Sequence, residues 1–376
     1  MPEMNNWQRI WNDDGNIRRY TIIKIIASAI SLPYRLIITF RNRLYDKKIF
    51  TVVKLPCPVI SVGNIAVGGT GKTPCVIMLA RMLQSHGFKP AILSRGYGGS
   101  STKSVNIVAD GKNILLDSKT AGDEPFLMAQ SLRSIPIIVG PQRIKTGKEA
   151  ITRFGANVLI CDDAMQHRQI FRDINLVLLD SQDPFGNGHV LPRGKLREPI
   201  AGLKRASAFL LTRTDETPKA DNINKKLSQI GNIPIFTSIH KLKDVIKGDY
   251  SDEWPITKLS GKKVCAFCGI AKPGSFKKSL LAAGCHILSL DTFPDHHNYS
   301  RAELEIIKSK FYNNKADLII TTQKDGMRLQ NFAEFLSIIY MMRIEMEITP
   351  SQESFDNFIL DRLAALVVNP AAAQSK

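Results

Sequence analysis

Beyond residue 48 the chain alternates short, continuous apolar runs with segments of helical period. Runs at 58–63, 90–94, 135–139, 156–161, 174–180, 208–212 and 233–238 read as strands, with helices expected at 72–86, 125–131 and 142–153. A strand that is apolar on both faces must be covered on both, so this alternation predicts an α/β fold built on a parallel sheet. The chain turns polar over 241–262, which reads as a linker or ribbon. A second set follows, with strands at 264–269, 286–290, 317–321 and 336–341 and helices at 276–283 and 300–314. The expected division is a larger domain over 49–245 and a smaller α/β domain over 246–376, ending in a frayed tail at 374–376 and the alanines before it. No internal repeat is visible.

Residues 1–48 form a segment of their own. Residues 20–40 are strongly apolar, yet the longest uncharged stretch, 25–34, has ten residues where a spanning helix needs about 20. Eight cations (Arg18, Arg19, Lys24, Arg35, Arg41, Arg43, Lys47, Lys48) stand against one acid, Asp46, a local charge of +7. The expectation is an amphipathic helix, interrupted near Pro33, that lies in an anionic membrane interface without crossing it. Packing into the core with charges facing water is the alternative.

Across all 376 residues, 51 Lys+Arg against 34 Asp+Glu leave +17, which implies an anionic partner such as nucleic acid, acidic lipid or a phosphorylated substrate. No base-stacking motif or recognition helix accompanies the charge, so nucleic acid is not expected. The six cysteines do not look like a disulfide framework, and Cys265 and Cys268 sit in an apolar run with no second pair to complete a zinc site.

The strongest chemical signal is SVGNIAVGGTGKTP, residues 61–74. A strand enters a glycine-rich loop in which Gly68, Gly69, Thr70 and Gly71 can wrap phosphates with backbone N–H groups. Lys72 then reaches those phosphates and Thr73 offers a hydroxyl to Mg²⁺ at the start of a helix. Ala66 stands where the usual pattern has its first glycine. A second magnesium carboxylate is expected at the end of a neighbouring strand, and Asp162-Asp163 supplies it. Together these predict a site for ATP and Mg²⁺ and leave the acceptor open.

Eight motifs occur in one order: GNIAVGGTGKTP (63–74), SRGYGG (94–99), GDEP (122–125), VGPQR (139–143), DDAMQH (162–167), FGNGHVLPRGKLREP (185–199), FPDHHNYS (293–300) and TTQKD (321–325). The set resembles the tetraacyldisaccharide 4′-kinase family over roughly residues 20–345. Departures are Ala164-Met165 for Gly-Phe, Arg193 and Lys195 for Ala and Pro, and Gln323 for Glu. The resemblance implies transfer of the γ-phosphoryl of ATP to the 4′-hydroxyl of a lipid disaccharide 1-phosphate at the cytoplasmic face of the bacterial inner membrane. No obligate protein partner is inferred. By resemblance Asp123 is the base, paired with His296, while spacing alone would make Asp123 a helix cap. On the expected domain division these two meet only when the second domain closes over the first. Lys72 and His167 complete the expected catalytic set, with a surface histidine as the alternative for His167; His297 reads as structural. Arg95, Glu124, Arg143 and Arg197 are the expected substrate contacts, though any arginine could equally form a solvated ion pair. A P-loop ATPase or metallochaperone-type switch, and a basic binding protein with a vestigial P-loop, are the competing classes.

Overall fold

The computed structural model describes residue 11 and residues 18–216 and 220–368. The strands are β1 (Val59–Asn64), β2 (Pro90–Ser94), β3 (Asn106–Asp110), β4 (Pro136–Val139), β5 (Val158–Asp162), β6 (Ile174–Asp180) and β7 (Ala208–Thr212). They continue with β8 (Ile235–Lys247), β9 (Glu253–Pro255), β10 (Lys263–Cys268), β11 (His286–Thr292), β12 (Leu318–Thr322) and β13 (Ile339–Thr349). The helices that matter below are α1 (Arg18–Asp46), α2 (Lys72–Ser85), α3 (Asp123–Ser131), α4 (Arg143–Phe154), α5 (Pro273–Ala282), α6 (Arg301–Asn313) and α7 (Gln352–Val368).

The chain forms two compact units, and each is discontinuous. The first takes residues 1–95, 140–239 and 347–376; the second takes 96–139 and 240–346. The expected boundary at 245 is therefore close to one crossing point. The transfer of 96–139 to the second unit, and of 347–376 to the first, was not foreseen. Packing explains the first transfer: Phe126 and Leu127 of α3 share a buried cluster with Ile246, Met327 and Met341.

In the first unit the strand order is β8-β7-β6-β1-β5-β2, and every neighbouring pair is parallel. β1 is flanked on both sides, Ile60 lying opposite Ile160 of β5 and Ile174 of β6. All residues of β1, β5, β6 and β7 are buried, as strands covered on both faces require. In such sheets ligands bind beyond the carboxyl ends of the strands, and the residues following β1 and β5 lie there.

Helix α1 runs unbroken through Pro33, contrary to the expected interruption. Pro33 is exposed, so the carbonyl it leaves without an N–H need not be buried. One face of α1 docks on its own unit. Ser31 donates to the carbonyl of Val190 at 3.0 Å, Tyr34 to that of Arg197 at 2.8 Å, and Asn42 to Glu198 at 3.1 Å. Ile22, Ile25, Ile26, Ile30, Leu32, Leu36, Ile37 and Phe40 are exposed on the rest of the helix. Its stretch Thr21–Asp46 is long and apolar enough to cross a membrane, by length and composition alone.

In the second unit β11-β10-β12-β13 form a parallel set. α5 packs Phe276 and Leu280, and α6 packs Leu304 and Ile307, into clusters with these strands. The polar stretch expected as linker or ribbon is a ribbon, with Asp244–Ile246 of β8 antiparallel to β9. β3, absent from the sequence reading, pairs antiparallel with β4. The last expected strand lies further on, since Ala333–Leu336 is helical and β13 begins at Ile339. The expected tail lies outside the described residues.

Candidate active site

The first unit carries the glycine-rich loop expected to hold phosphate. β1 ends at Asn64, whose amide donates to the Thr70 hydroxyl at 2.9 Å. Gly68 (φ 121°) and Gly71 (φ 85°) occupy conformations that L side chains rarely adopt, and an added Cβ at Gly68 would meet nothing within 4 Å. Backbone conformation rather than crowding demands glycine there. The loop is strapped from the next strands: Thr212 donates to the Thr70 carbonyl at 3.2 Å and Arg213 to the Gly69 carbonyl at 2.7 Å. Arg213 is itself paired with Asp180 at 2.5 Å. α2 then opens with Lys72-Thr73, and its N-terminal N–H groups and dipole favour an anion.

At the end of β5, Asp162 is buried and accepts from Ser94 at 3.0 Å. Asp163 follows with φ 48°, a backbone state that turns its carboxylate toward two cations. Arg197 donates to both its oxygens at 2.9 and 2.8 Å, and Lys72 Nζ lies 3.7 Å away. Burial pushes the Asp163 carboxyl up, but Lys72 and Arg197 outweigh it and hold the group below its usual value. The Thr73 hydroxyl and the Asp162 carboxylate are hard oxygen donors of the kind Mg²⁺ takes alongside phosphate and water, so these residues fit the ion.

Three expected residues here have places that sharpen their reading. Arg143 is buried, donating to the carbonyls of Gly140 at 2.7 Å and Asp162 at 3.2 Å. It braces the backbone under the acidic pair, a role that spacing did not suggest. Arg95 is exposed just beyond β2. His167 is partly buried, and its Nε2 has no hydrogen-bond partner among the described residues. Burial, reinforced by Arg143, Arg172, Arg41 and Arg95, pushes its imidazole down to about 4. A neutral ring with an unused nitrogen among arginines suits an anionic oxygen.

The second unit brings the Asp123 carboxylate against the His296 imidazole. The cap of α3 is Gly122, at φ 93° and with no room for a side chain because an added Cβ would lie 2.5 Å from the Tyr97 carbonyl oxygen. Asp123 is thus released from capping. Its Oδ2 accepts from His296 Nδ1 at 3.0 Å and from Arg328 Nε and Nη2 at 2.8 and 2.7 Å. Burial alone would raise its pKa, but the His296 hydrogen bond and the charges of Arg328 and Lys324 hold the carboxyl well below the usual range. His296 sits at φ 61°, and its Nε2 lies 3.3 Å from Lys324 Nζ. Lys324 also pairs with Glu124 at 3.3 Å and Asp295 at 3.6 Å. His297 turns away, stacked on Phe293 and bonded to Glu303 at 3.0 Å, as a structural residue would be.

Both members of the pair belong to one unit, so they meet without any closure of one domain on another. Sequence reading missed Arg328, Lys324 and Asp325 as site residues. The TTQKD motif included the last two without assigning them work, and Arg328 lies three residues beyond it.

A glycine loop opening a helix, with lysine and threonine at its start and an acidic pair at the end of a neighbouring strand, defines a P-loop nucleotide-dependent enzyme. Elsewhere in the chain a carboxylate is hydrogen-bonded to an imidazole. The chain belongs to the tetraacyldisaccharide-1-P 4′-kinase family, whose model matches residues 23–364. It is 41% identical over 365 residues to the tetraacyldisaccharide 4′-kinase of Syntrophus aciditrophicus, covering 95% of this chain and 97% of that one. The corresponding enzyme of Desulfatibacillum aliphaticivorans is 40% identical over 346 residues, covering 90% and 92% of the two chains. The solved LpxK from Aquifex aeolicus, in complex with ATP, superposes with a TM-score of 0.76 at 32% identity over 91% of this chain and 99% of that one.

Proposed function

We propose that this protein transfers the γ-phosphoryl group of ATP to the 4′-hydroxyl of tetraacyldisaccharide 1-phosphate, a step of lipid A synthesis. The observation that carries the reading is that one chain holds both a phosphate cradle and an oriented acid–base pair. A nucleotide switch needs only the cradle. Phosphoryl transfer asks for positioning, charge neutralisation and a base on the acceptor hydroxyl. The amides of 68–71, Lys72 and His167 hold phosphate oxygens, and Arg197 fixes Asp163. Thr73 and Asp162 would hold Mg²⁺, which when bound neutralises charge on the β- and γ-phosphate oxygens.

The tautomer of His296 follows from its partners. Asp123 is ionised, can only accept and lies 3.0 Å from Nδ1, which outweighs the longer 3.4 Å contact of the donor Arg328 Nη2, so Nδ1 carries the hydrogen; Lys324 can only donate, so Nε2 carries the lone pair. Once the acceptor hydroxyl takes the place of Lys324 at Nε2, that nitrogen receives the acceptor proton as the new O–P bond forms and the bond to ADP breaks. Asp123 orients the ring and balances the imidazolium. This refines the expectation that Asp123 itself is the base.

The exposed apolar face of α1, with the exposed Arg35, Arg43, Lys47 and Lys48, supports a monotopic seat on the anionic cytoplasmic face of the inner membrane, where the lipid acceptor resides. A helix whose other face is hydrogen-bonded to its own unit is not free to be ringed by lipid.

The test follows γ-labelled ATP with the lipid disaccharide as acceptor. Label is expected on the disaccharide, whereas release as free phosphate alone would favour the switch. Lys72→Ala is expected to cut turnover by at least about 10²-fold, because transition-state charge on the transferring group is left uncompensated. Near-normal turnover of that variant would sink the cradle assignment.

A further inference from the structure

The Asp123–His296 pair is held from behind by a buried chain of charges centred on Arg328, a residue outside every motif. Arg328 is 6% exposed and uses all three guanidinium nitrogens. Nε and Nη2 grip Asp123 Oδ2, while Nη1 donates to Asp325 Oδ1 at 3.0 Å and to the Gly269 carbonyl at 2.9 Å. Asp325 is wholly buried. It accepts from Tyr299 at 2.9 Å, from the Gly269 amide at 3.0 Å and from Thr322 at 2.6 Å. Breaking a buried ion pair of this kind leaves an uncompensated charge, so the set behaves as one element.

The backbone that carries it is equally fixed. Gly326 lies against Met341, where an added Cβ would come within 2.0 Å of the Met341 sulfur. Met327, the next residue, is completely buried beside Met341 in the cluster that also holds Phe126 and Leu127 of α3. Arg328 and Asp123 are thus referred to the same core, although 205 residues separate them.

The consequence for the site is geometric. With Oδ2 taken by three donors and Oδ1 accepting from the Glu124 amide at 3.1 Å, the Asp123 carboxylate has one rotational setting. His296 Nδ1 must point to it, which leaves Nε2 facing away from the network toward Lys324. We propose that Arg328, anchored on Asp325, is the positioning residue of the Asp123–His296 pair and sets which imidazole nitrogen meets the acceptor hydroxyl. The step it serves is the one above: the acceptor O–H proton passes to Nε2, the oxygen bonds to the γ-phosphorus, and ADP leaves. This rests on the reading of His296 as the proton acceptor.

The groups facing the pair are Asp123 and Glu124 from α3, Tyr97 at the edge of the ring, Asp295 beside it, and Lys324, Asp325 and Arg328 beyond β12. Arg328 helps hold the Asp123 carboxyl down, and loss of a cation beside a titrating pair favours its protonated form. Since the reaction needs that nitrogen unprotonated, the acid limb of activity moves to higher pH.

The experiment uses the full-length enzyme, ATP and tetraacyldisaccharide 1-phosphate, with Arg328→Met, Arg328→Lys and His296→Ala. Arg328→Met is expected to lower kcat about 10²-fold or more, leave KM for ATP within about twofold, and shift the acid limb of kcat upward by about one pH unit. Arg328→Lys restores the charge without the two-pronged grip, and is expected to regain roughly tenfold in kcat and to return the acid limb toward that of the parent. A purely structural arginine would lower the melting temperature and the amount of active enzyme but leave the pH profile in place, and that result overturns the proposal. So does a parental kcat in Arg328→Met. Should Arg328→Met melt below assay temperature, Arg328→Lys decides: a parental kcat there refutes the positioning role, and a loss of about fivefold or more at unchanged KM for ATP supports it. Normal turnover of His296→Ala would instead remove the reading of His296 on which the proposal stands.

Discussion

At the scale of single residues, charge around a ring decides what the ring can do. His167 lies four residues beyond Asp163 and is faced by Arg143, Arg172, Arg41 and Arg95, with its folded value pushed from 6.5 down to about 4. Between those values the unfolded imidazole binds a proton that the folded one refuses, so stability contributed by this site is present above pH 6.5 and lost as pH falls toward 4. The melting temperature of the parent is therefore expected to fall more steeply over that window than that of His167→Gln. Parallel curves would mean that the arginines do not act on the ring. Residues in the cradle were legible because a phosphate loop constrains neighbours in sequence: glycines, lysine and threonine must be adjacent to wrap one group. Asp123, His296 and the acidic pair were reached through motifs. Arg328 was not, because its partner Asp123 lies 205 residues away and no local spacing encodes that pairing; Asp325 lay within TTQKD but drew no role there, because its partners Tyr299 and Gly269 come from other parts of the chain.

At the scale of elements, the parallel strands were legible for the reason that they are buried on both faces, which leaves continuous apolar runs. β3 escaped because only Ile107, Val108 and Ala109 are apolar, with polar Asn106 and Asp110 at its ends. Helix α1 was legible as apolar and basic, but its docked face was not, since Ser31, Tyr34 and Asn42 look like ordinary polar interruptions until their partners are seen. Its exposed face makes a prediction that leaves the docked face alone. Burying an isoleucine side chain is worth about 1.5–3 kcal/mol, so Ile22→Ser, Ile26→Ser and Ile37→Ser together are expected to weaken binding to anionic phospholipid vesicles by at least about 10²-fold. KM for the lipid acceptor should rise and KM for ATP should hold, and high salt should reproduce part of the loss, at about 1 kcal/mol per basic residue near the surface. A triple variant that sediments with vesicles as well as the parent would return α1 to the role of a packing helix.

At the scale of the whole chain, the order of motifs misleads about which parts cooperate. GDEP lies between two motifs of the cradle unit in sequence, so a reading along the chain assigns Asp123 to that unit and makes its meeting with His296 depend on closure. Contacts assign it to the other unit, because α3 buries Phe126 and Leu127 with Met327 and Met341 rather than against β1 or β5. A discontinuous unit leaves no composition shift at its seams, and only long-range packing reveals it. The two arrangements differ in a measurable way. A pair assembled by closure would appear only with nucleotide and acceptor present, whereas a pair built within one unit is present in the free enzyme. Imidazole ¹⁵N spectra of the enzyme without ATP are therefore expected to show the neutral form of His296 as the Nδ1–H tautomer. Asp123→Ala should abolish that bias, since a carboxylate that can only accept is what selects it. Addition of ATP should leave the signal nearly unchanged. If the tautomer bias emerges only after ATP and the lipid acceptor are both added, the pair is made by domain motion, and the preformed dyad described here is wrong.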